Sequence, residues 1–253
     1  MPAVQGLLLA ATVAFVSGSA EHRSAEGPPR AADTGTALAA GHQLRTGDDG
    51  LVRAEIPGMV LTLAAASSLR LEGTPLRPVL ESGRLEIASE GETVDVATGE
   101  AEVRGGGRLV VRRAGTRTQL MALRGGFRVR AAGGAEEIAL AVGEGLALAA
   151  GAAGERPRAL APAPEVVAPG VDPQYVRADQ PVSLTWAPAS AVHFQVLPFD
   201  SPEPIVARDQ DQAPAHITLK VPGLYRWRAS ARGPDGSESL PSTEGLICVV
   251  EGP

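Results

Sequence analysis

Residues 94–112 read VDVATGEAEVRGGGRLVVR, and the reading of this stretch decides the fold class. Val94 and Val96 flank Asp95, and Leu109 and Val111 stand between Arg108 and Arg112. Apolar and charged side chains therefore alternate with the two-residue period of a strand that buries one face. Gly99 and Gly105 to Gly107 punctuate the run. The same alternation fills residues 51–148. Its expected inward set is Val52, Ala54, Ile56, Leu69, Leu71, Leu85, Ile87, Phe127, Val129, Ile138, Leu140 and Val142. Arg53, Glu55, Arg70, Glu86, Asp95, Arg128 and Arg130 are the expected solvated partners. Runs of about four to six residues, each closed by glycine and with no helical-period segment between them, predict an all-β chain and exclude βαβ units. The spacing suits either an up-and-down sandwich or a β-solenoid. Phe127 is the only aromatic residue in the region. A core of small aliphatic residues favours the solenoid, whose stacked coils align aliphatic ladders.

Outward from that region, the chain has 253 residues, 44% hydrophobic and 21% charged, with 30 glycines and 21 prolines. This is the composition of a folded, turn-rich chain of about two domains. The net charge of −6 divides into −2 before Gly170 and −4 after it. Neither half carries the basic surface that a phosphate backbone requires, so nucleic-acid binding is not expected. Asparagine is absent, so no N-glycosylation site exists, and left-handed backbone positions fall to Gly and Asp.

At the N-terminus, the apolar stretch Gly6 to Val16 is followed by Ser17-Gly18-Ser19-Ala20. Residues 1–20 read either as a secretory signal or, through Ala11 to Val16, as the first strand of the fold. The stretch is too short for a transmembrane helix, and no other segment is suited to span a membrane. Residues 23–37 read as an exposed excursion. Residues 1–150 are expected to form the first domain and residues 151–170, with Pro157, Pro162, Pro164 and Pro169, an Ala/Pro linker. In residues 171–253 the character changes, because six of the eight aromatic residues lie there. Strands are expected over 181–186, 192–197, 205–208, 216–221, 224–231 and 246–250, the pattern of a small β-sandwich.

Ala39-Ala40-Gly41-His42-Gln43-Leu44-Arg45-Thr46-Gly47-Asp48-Asp49-Gly50 resembles the signature of the FecR-like domain family, in which a preset level is followed by L-R-T-G-x-D-G. Residues 82–87 and 94–106 are similar to that family's later glycine-punctuated strands. Gly106-Gly107 replaces the usual Gly-Thr, and Pro57-Gly58-Met59 stands where an aspartate is usual; both are turn positions. The resemblance, over about residues 11–149, implies a β-solenoid-like fold, turn-forming roles for Gly47 and Gly50, and a periplasmic or secreted setting. The family's regulators also carry a cytoplasmic domain and a membrane helix that this sequence does not show, so their anti-sigma role is not carried over. Residues 182–186 and 219–242 resemble a fibronectin type III or immunoglobulin-like module. That likeness implies Trp186 between the sheets, Tyr225 in a corner hydrogen bond, and Trp227 in the core.

The search for chemistry gives little. Cys248, the single cysteine, lies in the apolar run Gly245 to Val250, which excludes an internal disulfide and a cysteine-based metal site. His22, His42, His193 and His216 show no metal spacing, and no serine sits in a nucleophile elbow. Asp48-Asp49 reads as a turn, and Asp209 and Asp211 lack the rest of a calcium loop. Arg108, Arg112, Arg128 and Arg130 are the candidate partner-binding stripe, with pairing to Glu100, Glu102, Glu136 and Glu137 as the structural alternative. No catalytic, cofactor or metal site is expected. The function that follows is a non-enzymatic envelope protein acting through protein or cell-wall polysaccharide contacts. The alternative is a periplasmic FecR-type signalling module that pairs with a receptor or membrane-bound partner.

Overall fold

The structure, a computed structural model, describes residues 11–91, 93–150, 156–188, 190–201, 203–233 and 236–251. Among them every regular element is a strand, and the chain divides into two compact units, Met1–Arg158 and Ala159–Pro253. Among the described residues no helix is long and apolar enough to cross a membrane.

Three long strands organise the first unit: Arg77–Ser89, Ala101–Ala114 and Arg117–Ala131, of 13, 14 and 15 residues. Each serves two neighbourhoods. Their halves at residues 83–89, 108–114 and 117–123 pair with one another and continue on one side to Glu144–Ala149. On the other side they continue through Met59–Leu63 and Leu51–Ile56 to Ala11–Ser17 and Ala37–Leu38. The remaining halves join a second set: Glu137–Leu140, Val94–Ala97, Ser68–Glu72, Gln43–Thr46, Ala20–Arg23 and Arg30–Ala31. Side chains of both sets belong to one core, which includes Leu44, Leu69, Leu85, Ile87, Val103, Val111, Leu120 and Val129. The crossing between sets falls at glycine. Gly125 has φ +78°, and a Cβ there would stand 1.9 Å from the Gly106 carbonyl oxygen, so no other residue fits where the two long strands bend together.

All-β is what the alternation predicts, but the simple solenoid is not what the chain builds. Stacked coils pair in parallel, whereas every ladder described between Ala11 and Ala149 is antiparallel apart from the single pairing Val79↔Ala97. The reason is local. Pro57-Gly58 forms a two-residue turn, with Gly58 at φ +79° and Ile56 opposite Met59, and so reverses the chain where a coil would carry it onward. Two side chains also depart from the expected alternation: Glu86 is only 6% exposed, and Val142 is 58% exposed.

The stretch Ala11–Ser17 is a strand with Ala11 and Val13 fully buried, paired on both sides. Cleavage after Ala20 would strip it from the sheet. The rest of the alternative signal, residues 1–10, lies outside the described residues.

In the second unit a three-stranded sheet, Glu165–Ala168, Pro181–Ala187 and Ala215–Thr218, shares a core with a five-stranded one. The latter runs in the order Gln174–Arg177, Gly245–Val250, Gly223–Ala231, Val192–Pro198, Val206–Gln210. Trp186 and Trp227 are the largest buried side chains, and their indole N–H groups donate to the carbonyls of Ser190 (2.8 Å) and Pro169 (2.9 Å). The expected linker, residues 151–170, is therefore partly structure. Residues 151–155 lie outside the described residues, Glu165–Ala168 is a sheet strand, and Pro169 accepts the tryptophan bond. Proline is tolerated there because it follows the strand rather than interrupting it.

Candidate functional site

The outward face of the second strand set in the first unit carries a run of linked charges. Period-two parity places it there: Leu69 and Leu71 go inward while Arg70 and Glu72 go outward, and Ala101 and Val103 oppose Glu102 and Arg104. Register then lines the outward groups into a chain of alternating sign across four strands. Glu81 meets Arg70 at 3.1 Å, Arg70 meets Glu72 at 2.5 Å, and Glu72 meets Arg77 at 3.3 Å. Arg77 continues to Glu102 at 3.5 Å, which meets Arg130 at 2.5 Å. An open groove of about 730 Å³ runs along this chain, with Thr98, Gly99 and Gly133-Gly134 on its rim.

Arg113, which also lines the groove, is anchored on a buried carboxylate. Arg113 grips Glu100 with two nitrogens at 2.9 and 3.0 Å, and the Thr118 hydroxyl donates to the same carboxylate at 2.7 Å. Burial pushes the Glu100 carboxyl up, but the bonds from Arg113 and Thr118 outweigh it and hold the group below the usual carboxylate range. Glu81 is lowered in the same way, burial being overcome by Ser68, Gln43 and Arg70. Glu102 is lowered chiefly by its bond from Arg130. Glu81, Glu100 and Glu102 are therefore carboxylates at neutral pH, each compensated by an arginine.

The four arginines of the expected stripe do not lie together. Arg128 and Arg130 belong to the half-strand bordering this groove, and pair with Glu137 (3.3 Å) and Glu102. Arg108 and Arg112 lie past the glycine bend, in the other strand set. Arg108 pairs there with the buried Glu86, and Arg112 stands opposite Arg84 and Gln119. The bend at Gly105 to Gly107 separates the two pairs.

The glycines of the L-R-T-G-D-D-G stretch form a corner. Leu44 is buried, Thr46 accepts from the Ser67 amide at 3.0 Å and donates to the Ala64 carbonyl at 2.5 Å, and the Gly47 amide donates to the Ser19 carbonyl at 2.9 Å. A Cβ on Gly47 would stand 2.1 Å from Ser19 Oγ, and one on Gly50 2.1 Å from Ser19 O. Asp49 Oδ1 accepts from both the Ser19 hydroxyl (2.6 Å) and its amide (3.1 Å), which lowers its carboxyl below the ordinary range. Asp48-Asp49 thus serves the turn.

In the second unit, Tyr225 donates its hydroxyl to the Val221 carbonyl at 2.8 Å, and burial pushes its phenol up. Asp209 and Asp211 face Arg232 at 3.3 and 3.6 Å, and His193 Nδ1 lies 2.9 Å from Asp209. Among the described residues no group of three or more His, Cys, Asp or Glu side chains is placed to hold a metal ion. Sequence spacing offers no sign that His22 and His42, 20 residues apart, touch: their ring nitrogens are 2.9 Å apart. Only the register of Ala20–Arg23 against Gln43–Thr46 brings them together.

No protein-family model matches the chain, and no curated protein does. Among solved structures it is similar to two of a "putative anti-sigma factor" from Parabacteroides distasonis ATCC 8503, at 2.50 and 1.65 Å resolution. Identity is 17% and 16%, with a TM-score of 0.39 in each case. Each match covers 46% of this chain, which spans 59% of the neighbour's length.

Proposed function

We propose that the chain is a FecR-like signalling module of the bacterial cell envelope that works by binding a protein partner through the charged face of its first unit. The second unit, on this reading, is a fibronectin type III or immunoglobulin-like module. The observation that carries the proposal is the corner at residues 44–51, where the signature residues divide the work. Leu44 and Leu51 are buried, Thr46 and Asp49 act as bonding groups, and Gly47 and Gly50 leave room for the Ser19 hydroxyl and carbonyl. In the second unit, the Tyr225 bond to a carbonyl four residues upstream and two sheets around buried Trp186 and Trp227 support the module reading. The Glu81–Arg70–Glu72–Arg77–Glu102–Arg130 chain supports a protein partner, since alternating fixed charges select a surface of matching alternation and reject one of single sign.

The test is site-specific photocrosslinking in envelope preparations. A crosslinker replacing Arg104 or Arg128, whose side chains are 56% and 76% exposed on the charged face, is expected to capture one protein at equal stoichiometry. The same group replacing Glu55, on the other strand set, is expected to capture none. Equal labelling from all three positions, or retention of the chain by purified peptidoglycan in place of a protein, overturns the proposal.

A further inference from the structure

Ala20–Arg23 is a strand of the sheet, after which the chain loops through residues 24–29 and returns as Arg30–Ala31, so residues 20–31 form an arm. Its ladder to the rest of the first unit runs to Gln43–Thr46. The loop closes on itself through Arg23 Nε donating to the Gly27 carbonyl at 3.3 Å. It also lies close over the turn before Gln43: a Cβ on Gly41 would stand 2.9 Å from that of Ala25. His22 is on the arm and His42 on that turn, both half-buried. Nε2 of His22 and Nδ1 of His42 are 2.9 Å apart, the ring centroids 4.8 Å apart and the planes inclined at 53°.

One hydrogen bond between two imidazoles needs one N–H and one lone pair. The contact therefore survives with both rings neutral or with one of them charged. A second proton leaves two N–H donors facing each other with like charges in contact, and the bond is lost. The surroundings sharpen this. Arg30 stands opposite His22 in the ladder, and Glu21 and Arg23 flank it. Glu26 is in the loop, Arg45 on the strand beneath, and Arg70 and Glu72 on the strand beyond. Glu72 is already engaged by Arg70 and Arg77.

We propose that His22 and His42 form an acid-sensitive latch, holding the arm of residues 20–31 on the sheet near neutral pH and releasing it when both rings carry a proton. Burial first, then the charges of His42 and Arg30, hold His22 below the ordinary histidine range. The folded chain thus binds the last proton more weakly than the unfolded chain does. The latch is complete above about pH 6.5 and is lost as the pH falls through the depressed range of His22.

Hydrogen exchange of the full chain, corrected for intrinsic rates and read by peptide between about pH 7.5 and 4.5, tests this. In the unaltered protein, protection over residues 20–31 is expected to fall about tenfold, while residues 117–123 in the core keep theirs. His22→Gln and His42→Gln offer an amide that bonds but does not titrate, and in each the acid step is expected to vanish. Loss of arm protection already at neutral pH in either variant, with the core intact, also supports the latch. Absence of the step in the unaltered protein, or its persistence in both variants, overturns it. Should a variant fail to fold, histidine carbon chemical shifts in the unaltered protein decide the matter. Two coupled titrations support the latch, and two independent ones of ordinary midpoint overturn it.

Discussion

Replacing Gly50 by alanine probes the corner on which the functional reading rests. Its φ lies outside the left-handed range, so the cost is argued from space. The new Cβ would stand 2.1 Å from the Ser19 carbonyl oxygen and 2.9 Å from both the Gly47 nitrogen and Thr46 Cβ. Ordinary contact needs about 3.4 Å or more, so the Ser19 carbonyl has to retreat by more than about 1 Å. That carbonyl accepts from the Gly47 amide, and Ser19 also holds Asp49 through its amide and hydroxyl. Overpacking of this kind costs about 1–3 kcal/mol and the strained backbone bond about 1 more, against which the stiffer unfolded chain returns about 0.5. The expected loss is about 1.5–3.5 kcal/mol, or roughly 3–14 °C for a unit of this size. Gly126→Ala is the control, because it lies in the same unit with no atom within 4 Å of the added carbon and no left-handed backbone. Urea unfolding followed by far-UV circular dichroism, with exchange protection of the core as a second readout, measures both. A Gly50→Ala loss no larger than that of Gly126→Ala refutes the close approach and the corner built on it.

Three further outcomes follow from the geometry. Glu100→Ala leaves the half-buried Arg113 and the Thr118 hydroxyl without their carboxylate and is expected to cost about 3 kcal/mol in urea unfolding. Because the Glu100 carboxyl is held low in the folded state, its contribution is present above the ordinary carboxylate range and is lost as the pH falls through its lowered one; Glu100→Gln should flatten that acid limb. Tyr225→Phe removes one buried bond, at a cost of about 1 kcal/mol read by fluorescence of Trp186 and Trp227. Burial raises the phenol, so its contribution holds below the ordinary tyrosine range and is lost as the pH rises, a loss the phenylalanine variant lacks. Deleting residues 1–20 removes Ala11–Ser17 from between two paired neighbours, and the first unit is expected to lose its protected core amides; a deletion that keeps them refutes the strand's structural role.

What the sequence disclosed and what it hid have one physical origin. Side-chain parity is a local property, so Leu85 with Ile87, Leu109 with Val111 and Val94 with Val96 announced buried strand faces, and all six are buried. Register is not local. Gly105 to Gly107 reads as a turn because glycine ends strands, yet glycine also lets one strand bend from one neighbourhood to another, and here it does the second. A 14-residue strand therefore looks like two short rungs, and a chain of such rungs looks like a solenoid. The same blindness explains the site. Parity put Arg128 and Arg130 outward, as it did Arg108 and Arg112, but only the position of the bend assigns the two pairs to different strand sets. It also explains Glu86, whose parity is outward while its ladder neighbours Thr62 and Val110 are themselves buried. Charge opposite charge across a ladder is a matter of register too. Glu102 meets Arg130 because Ala101 happens to face Ala131, and a shift of one residue would set Glu102 against the buried side chain of Val129 instead. The alternating chain of ions is therefore as much a record of strand alignment as a feature of composition, and a register-shifting insertion beside Gly105 should scatter it while leaving the arginine content unchanged.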